Sequence, residues 1–494
     1  MKKIKKIAII GSGFSGLSAA AYLSKLGHEV DVYEKNKTIG GRARQIEQDG
    51  FTFDMGPSWY WMPEVFERFY NDFGYTTSDF YELERLSPAF NMVFDKGDEM
   101  LVPDDYADLK ALFEKIEKGS ADQLDKFMKD AKLKYDISFA DLIEKPGLKI
   151  TEYINLSTIK NSVNLKLFSS YQKLVYAHFK NEKLRSLMEF PVLFLGAMPK
   201  DTPALYSLMN YAGLKLGTHY PMGGFFSVIK AMEKIALNQG VNFHINTPIE
   251  KINVVNNTVV SLKSKLGDIK YDGIVGSADY QHIESKLLDK EHRNYKLNYW
   301  SKKTFAPSSL IFYLGIDKKI ANIHHHTLFF DEDYNQHARE IYQQKAWPDK
   351  PLFYVCTPSK TDANVAPKGC ENVFILMPLA TGIQDTEEIR EKYFQKIIKR
   401  LESHLDQNIT HHIVVKKSYC INDFKNDYNA YGGNAYGLAN TLAQTAILKP
   451  KIINKKINNL VYTGQLTVPG PGFPPSLISG KISANLLNKQ LKSA

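Results

Sequence analysis

The chain has 494 residues, of which 44% are hydrophobic and 24% are charged, the composition of an ordinary folded protein. Its length predicts about three domains, or two larger interleaved ones. The net charge of +9 comes from scattered basic residues, so we expect no nucleic-acid partner, although it favours an anionic membrane surface. The widely spaced Cys356, Cys370 and Cys420 exclude a disulfide framework, and no apolar run reaches the ~20 residues of a membrane-spanning helix.

The first residues superficially resemble a signal peptide, with lysines before the apolar run Ile7–Ile10. Gly11, Gly13 and Gly16 interrupt that run at once. A glycine loop in this place serves a nucleotide better than a signal peptidase, so we expect no targeting segment.

A strand, a glycine-rich loop, a helix and a second strand follow one another at the start of the chain. The apolar run Ile7–Ile10 predicts a central parallel strand, and it leads into Gly11-Ser12-Gly13-Phe14-Ser15-Gly16. The helical pattern after this loop stops at Gly27, and the strand Glu29–Tyr33 ends in Glu34. This order predicts a Rossmann-type unit that binds a dinucleotide.

Each residue type in this unit has a physical role. Gly11 permits a tight turn, Gly13 lets the backbone approach a pyrophosphate, and Gly16 lets the helix pack closely on the strand. The helix N-terminus offers free N–H groups to an anion. Glu34 is placed to accept hydrogen bonds from a ribose, but the unit alone leaves both FAD and NAD open.

The next segment separates these two cofactors. Ile39-Gly40-Gly41-Arg42 resembles the second glycine motif of the amine-oxidase-like flavoprotein superfamily. The resemblance implies FAD, with the glycine pair close to the diphosphate and the arginine adding positive charge or bracing the loop. It therefore assigns three contacts to FAD, namely Lys35, Gly41 and Arg42.

Two further segments resemble the bacterial-type carotenoid desaturases. Phe51–Ser58 is similar to their FDxGP segment, and Val461–Gly480 is similar to their C-terminal signature, in which a strand leads to a Pro/Gly loop and a helix. The similarity, taken over the whole length, points to phytoene desaturases. It implies further FAD contacts at Gly56, Pro57, Ser58 and Gly464.

This resemblance implies an α/β protein with a discontinuous Rossmann-type FAD-binding domain, an α+β substrate domain and a helical lid. We predict that residues 1–85, 220–290 and 455–494 form the FAD-binding domain. Residues 86–219 and 291–454 would then form a substrate domain that faces the membrane.

Desaturation of a polyene requires a long apolar tunnel from which water is excluded. The segment Leu165–Arg185 is amphipathic, with lysines beside Leu, Phe and Tyr. It indicates either a membrane surface through which a lipid-soluble polyene enters or a lid helix with a solvated basic face. We expect a cytoplasmic protein that associates peripherally with the inner face of the cell membrane.

The runs His324-His325-His326 and His411-His412 invite a metal-site interpretation. Adjacent histidines point in different directions, and no cysteine or carboxylate at ligand spacing accompanies them, so we expect no metal. The stretch before Lys173 lacks a clear Asp/Arg arrangement, so the catalytic residues stay unassigned.

The leading hypothesis is an FAD-dependent phytoene desaturase that acts on a C40 polyene, with FAD reoxidised by oxygen or a quinone. The alternatives are a desaturase of a C30 or hydroxylated carotenoid, a carotenoid isomerase and a flavin amine oxidase. A non-catalytic prenyl-protein carrier of the same fold belongs to another class. The carrier predicts decayed flavin motifs, whereas Gly11–Gly16, Glu34, Gly40–Arg42 and Gly464 are intact.

Overall fold

The computed structural model describes residues 3–153 and 169–493 of the chain. Its strands are β1 Lys6–Ile10, β2 Glu29–Tyr33, β3 Gln45–Gln48, β4 Phe51–Asp54, β5 Leu83–Arg85, β6 Phe90–Asp95, β7 Asp98–Val102, β8 His219–Pro221, β9 Asn242–His244, β10 Ile249–Val255, β11 Thr258–Ser264, β12 Gly267–Lys270, β13 Gly273–Gly276, β14 Ser308–Ile316, β15 His326–Phe329, β16 Phe353–Cys356, β17 Glu371–Leu379, β18 Ile413–Tyr419 and β19 Leu460–Tyr462. Its α-helices are α1 Phe14–Lys25, α2 Pro63–Asp72, α3 Tyr106–Ile116, α4 Ser120–Ile137, α5 Tyr171–His178, α6 Glu182–Glu189, α7 Leu208–Asn210, α8 Phe225–Asn238, α9 Tyr280–His282, α10 Leu297–Ser301, α11 Tyr334–Arg339, α12 Glu387–Leu405, α13 Ile421–Tyr428 and α14 Phe473–Ser493.

A parallel sheet forms one half of the molecule. Its strand order is β19-β13-β1-β2-β9, so β1 lies between β13 and β2. Residues Ile7–Ile10 are buried, as their apolar run predicts for a central parallel strand. Strands from the start, middle and end of the chain thus share one sheet. All of them fall within the ranges predicted for the FAD-binding domain, whose exact boundaries stay a prediction.

A different layer covers each face of this sheet. Successive side chains of a strand point to opposite faces. Ile7 and Ile9 pack into the core that contains helices α1, α8 and α14, whereas Ala8 and Ile10 pack into the core beneath the antiparallel sheet β10-β11-β12. The alternation in β1 therefore holds three layers together.

Helix α14 brings the end of the chain back to the first helix. A Cβ on Gly480 would lie 2.4 Å from the Ser15 carbonyl oxygen and 2.6 Å from Ser18 Cβ, so a larger residue would push the helices apart. Across the same contact, the Ser18 hydroxyl donates a hydrogen bond of 2.7 Å to the Leu477 carbonyl oxygen. The C-terminal helix thus packs directly on the helix that follows the glycine loop.

A mixed sheet forms the other half, with the strand order β18-β14-β17-β16-β15-β6-β7. Strand β14 is buried along its whole length between β17 and β18. One face of this sheet packs on α12, where the rings of Phe312 and Phe394 lie 5.1 Å apart. The other face points towards the first half, and there the Tyr313 hydroxyl donates a hydrogen bond of 2.8 Å to the Met55 carbonyl oxygen. The predicted α/β class, with a second sheet-containing half, is confirmed.

Helices α3 to α6 form the helical part that was predicted as a lid. The predicted amphipathic segment Leu165–Arg185 lies partly outside the described residues, which resume at Ser169. From there on, Leu174, Val175 and Leu184 are buried in the protein core, which favours the interpretation as packed lid helices for this part. Within the described ranges, no helix is long and apolar enough to cross a membrane.

Candidate functional site

A cavity of about 1060 Å³ lies between the parallel sheet and the mixed sheet, and both halves contribute to its wall. Of the predicted FAD contacts, Gly16 alone does not line the cavity. It packs behind the wall, against the Gly11 carbonyl group. The other predicted contacts all line the cavity: Gly11, Ser12, Gly13, Phe14, Ser15, Glu34, Lys35, Gly41, Arg42, Gly56, Pro57, Ser58 and Gly464.

The two glycine motifs meet backbone to backbone. The Gly40 amide donates a hydrogen bond of 3.0 Å to the Ser12 carbonyl oxygen. A Cβ on Gly41 would lie 3.2 Å from Gly13 Cα, and a Cβ on Gly16 would lie 2.1 Å from the Gly11 carbonyl oxygen. Gly13 precedes α1 without a side-chain cap, so the first N–H groups of that helix are left for a ligand. The close approach of these loops forms a cradle suited to a diphosphate.

Glu34 is fixed beside this cradle at the end of β2, where it is only 5% exposed. Its carboxylate accepts hydrogen bonds from the Ser12 hydroxyl at 2.6 Å and from the Ser12 amide at 3.2 Å. The Asn36 amide donates a third hydrogen bond, of 2.9 Å. A carboxylate held at this position can accept hydrogen bonds from ribose hydroxyls.

The two predicted cations contact the second half of the molecule. Arg42 donates a hydrogen bond of 3.1 Å to the Asn434 carbonyl oxygen, and its guanidinium lies 4.9 Å from the centre of the Tyr428 ring. Lys35 donates a hydrogen bond of 3.3 Å to Asn429 Oδ1. Burial lowers the pKa of Arg42, so an anion beside it would favour its charged form. No local sequence pattern links Arg42 and Lys35 to these partners, because the partners follow β18, far along the chain.

Two further glycines lie where separate segments of the cavity wall meet. A Cβ on Gly56 would lie 2.8 Å from the Arg42 carbonyl oxygen, and a Cβ on Gly464 would lie 3.0 Å from Ser15 Oγ. The Gly464 amide also donates a hydrogen bond of 3.0 Å to the Ser479 hydroxyl of α14. Segments from the start and the end of the chain thus meet at one place.

These features fit FAD, because they offer an uncapped helix N-terminus, an acid at the ribose position and an apolar remainder for a ring system. Residues 14–488 match the family of flavin containing amine oxidoreductases. The chain is 37% identical over 483 residues to the carotenoid 3,4-desaturase of Haloarcula japonica, covering 97% of each chain. It is 31% identical over 508 residues to the 4,4'-diapophytoene desaturase (4,4'-diaponeurosporene-forming) of Staphylococcus aureus, covering 99% of each. The chain belongs to the carotenoid desaturases of this family.

This carotenoid desaturase is a flavin-dependent oxidoreductase with FAD as its cofactor, which confirms the predicted enzyme class, cofactor and family. An oxidoreductase from Methanosarcina mazei, 17% identical, shares the fold with a TM-score of 0.60 over 96% of this chain and 99% of the other. A putrescine oxidase, 12% identical, shares it with a TM-score of 0.61 over 98% of each chain. At these identities the two structures show the fold alone.

Aromatic side chains form the wall of the desaturase cavity beyond the glycine cradle. The Trp59 ring stacks on the His326 ring at 4.1 Å and packs edge-on against Phe90 at 5.4 Å. Tyr354 donates a hydrogen bond of 3.0 Å from its hydroxyl to Ser58 Oγ, next to Trp59 in the chain. Sequence reasoning missed this wall, because its members come from separate strands and turns and share no motif.

The structure corrects the argument about adjacent histidines. The rings of His325 and His326 lie only 4.5 Å apart, because His325 precedes β15 and does not follow the alternation of the strand. Cys356 pairs with His326 across β15 and β16, so a cysteine lies beside them after all. The histidines at 411 and 412 are in a separate 3₁₀ turn, Thr410–His412.

Two titratable groups with shifted pKa values lie at the cavity or next to it: Asp279 lines the cavity, and Lys449 follows Leu448, which also lines it. Lys449 is 2% exposed and donates a hydrogen bond of 2.7 Å to Asn440 Oδ1, a neutral acceptor, and burial lowers its pKa to about 7. Burial raises the pKa of Asp279 to about 6, against the opposing effect of its hydrogen bond from the His282 amide and of the Arg42 charge. Protonation of Asp279 near pH 6 would therefore change the charge of the cavity wall.

Proposed function

We propose that this desaturase introduces conjugated double bonds into a C40 carotenoid precursor, converting phytoene towards lycopene. One observation carries the proposal: a single cavity joins the dinucleotide cradle to a chamber with aromatic and aliphatic walls. A polyene has no polar group to bind, so apolar walls supply its affinity. The relatives named above act on carotenoids by name, which supports this substrate class.

The reaction removes a hydride and a proton from neighbouring carbon atoms, and FAD, when bound, supplies the hydride acceptor at N5. The residues of the chain bind the dinucleotide and the polyene, orient them and exclude water. Gly13, Gly41 and Glu34 would hold the dinucleotide, whereas Trp59 and Phe190 line the chamber and keep it apolar. Oxygen or a quinone is the proposed final electron acceptor.

We also propose that the polyene enters from a membrane surface, with the enzyme bound peripherally at the inner face of the cell membrane. Ile150 is 62% exposed and Leu448 is 52% exposed, yet both line the cavity. Lys145 lines it as well. An apolar rim with a nearby cation suits contact with anionic lipid.

Co-expression with a phytoene-producing pathway tests the substrate. We expect coloured products whose masses fall in steps of two hydrogens from that of phytoene, with absorption moving to longer wavelength. The Gly16→Ala variant, which we expect to bind no flavin, serves as a control. Unchanged phytoene beside a flavin-loaded enzyme would contradict the proposal, and a product of unchanged mass would indicate an isomerase.

A second candidate is desaturation at the 3,4-position of a carotenoid that already carries a long conjugated system. The 37% identity to the Haloarcula japonica enzyme, against 31% to the Staphylococcus aureus enzyme, favours it over desaturation of diapophytoene. The same co-expression in lycopene-producing and C30-carotenoid-producing cells separates the candidates. Loss of hydrogen only from lycopene would support this second function and reject the first.

A further inference from the structure

His325, His326 and Cys356 form a compact buried cluster behind the aromatic wall of the cavity. Strand β15 starts at His326, and Cys356 at the end of β16 is its partner in the antiparallel pair. The exposed fractions of the three residues are 6%, 0% and 2%. Imidazole and thiolate groups are the ligands that Zn²⁺ prefers in proteins.

The geometry of the cluster is close to that of a metal site. A ring nitrogen of each histidine and Cys356 Sγ all lie within 4.8 Å of one another. Nitrogen and sulfur ligands bonded to one Zn²⁺ are roughly 3.3–4 Å apart, given bond lengths of about 2.0 and 2.3 Å. Side-chain movements of about an ångström or less would therefore bring them around one ion.

The hydrogen bonds of the two imidazoles leave one nitrogen of each available. Nδ1 of His325 lies 2.7 Å from the Thr361 hydroxyl, and Nδ1 of His326 lies 2.6 Å from the Tyr354 hydroxyl. Among the described residues, Nε2 of either ring has no hydrogen-bond partner. A buried nitrogen without a partner is costly unless a ligand occupies it, and a second nitrogen fixed by an outer partner is typical of metal-binding histidines.

A tyrosine side chain lies beside the three residues of the cluster. The Tyr220 ring packs edge-on against His325 at 4.8 Å, and the carboxyl groups of Asp54 and Asp362 interact electrostatically with the Tyr220 hydroxyl. Because the Tyr220 hydroxyl is close enough to interact electrostatically with Cys356, it is a candidate fourth ligand beside the two histidines and the cysteine.

We propose that His325, His326 and Cys356 bind one Zn²⁺ ion, which links β15 to β16 behind Trp59. Its role is structural: it holds His326, on which the Trp59 ring stacks, and so fixes one wall of the substrate chamber. The proposal does not depend on which carotenoid is desaturated.

Metal analysis of the flavin-loaded enzyme tests the site. After incubation with Zn²⁺ and desalting, the wild type should retain about one Zn²⁺ per chain, and Cys356→Ser and His325→Ala should retain almost none. Loaded with Co²⁺ instead, the wild type should show a sulfur-to-cobalt charge-transfer band that Cys356→Ser lacks. Cys370→Ser and His411→Ala, which alter the same residue types outside the cluster, should behave like the wild type.

A variant could also fail to bind metal because it folds poorly. Melting temperatures measured with and without Zn²⁺ distinguish this case from loss of the site. Zn²⁺ should raise the melting temperature of the wild type and a chelator should lower it, because a ligand that binds only the folded state stabilises it. Cys356→Ser should respond to neither. A flavin-loaded wild type without retained zinc and without a cobalt band would overturn the proposal, as would equal zinc retention in Cys356→Ser.

Discussion

The two ends of the cavity are built in different ways. At the dinucleotide end, backbone atoms of glycine loops pack on one another, as where a Cβ on Gly41 would lie 3.2 Å from Gly13 Cα. At the other end, large side chains from distant segments form the wall, as where Trp59 stacks on His326. The first end depends on residues that must be small, and the second on residues that must be large and apolar. We therefore expect substitutions at the dinucleotide end to change flavin binding and substitutions at the aromatic end to change kcat/KM.

The largest effect is expected at Gly16. An added Cβ would lie 2.1 Å from the Gly11 carbonyl oxygen, so Gly16→Ala must separate α1 from the loop. We expect a loss of more than about 4 kcal/mol in the free energy of unfolding, and no bound flavin. The flavin absorbance per protein after purification measures the effect.

Gly27→Ala is the matched control for Gly16→Ala. Its φ of +91° disfavours a side chain, but nothing lies within 4 Å of the added Cβ. We therefore expect a loss of only about 1–2 kcal/mol and a normal flavin content. Equal flavin content in the two variants would show that close backbone packing does not determine this end of the cavity.

Outside both ends, Lys449 lies close to the Pro/Gly loop, where a Cβ on Gly470 would be 3.2 Å from Lys449 Cε. Its pKa is lowered to about 7, so between that value and 10.5 the unfolded chain binds more protons than the folded one. The wild type should therefore gain stability as the pH rises through this window, by about 1.4 kcal/mol per unit relative to Lys449→Met. Unfolding of both proteins at pH 8 and pH 9 tests the slope, and a difference independent of pH would contradict it.

More of the dinucleotide end than of the aromatic end could be predicted from the sequence. The segment from Gly11 to Glu34 is short and contiguous. It contains both the glycines that permit close approach and the acid that follows a strand, so it could be interpreted without a structure. The resemblance supplied Arg42 and Gly464. The partners of Arg42 at Tyr428 and Asn434, and the position of Cys356 beside His326, depend on how distant strands pair. Pairing across a sheet leaves no local pattern, so the sequence could not show that Cys356 lies beside His326.

A smaller effect is expected at Glu34. Its carboxylate accepts three hydrogen bonds and would also bind the ribose. Glu34→Ala should weaken FAD binding by about 10- to 100-fold, since a hydrogen bond to a charged group contributes about 1.5–3 kcal/mol. Titration of the apoprotein with FAD measures this. Glu47→Ala in β3, an exposed acid, is the control, and equal affinities in the two variants would exclude the ribose role of Glu34.

The smallest and most selective effect is expected at Trp59. Trp59→Leu removes the ring that stacks on His326 and lines the chamber, and it leaves the sequence of every glycine segment of the cradle unchanged. We expect an unchanged flavin content and a roughly tenfold lower kcat/KM for the carotenoid, which corresponds to about 1.4 kcal/mol.

Trp347→Leu is the control for Trp59→Leu, because Trp347 packs on Tyr393 at 4.8 Å and does not line the cavity. It should leave kcat/KM unchanged. If Trp59→Leu lowered the flavin content as strongly as kcat/KM, the two ends of the cavity would not be separable. The substrate wall would then act on FAD binding, through the contact between Ser58 and Tyr354 that joins it to the cradle.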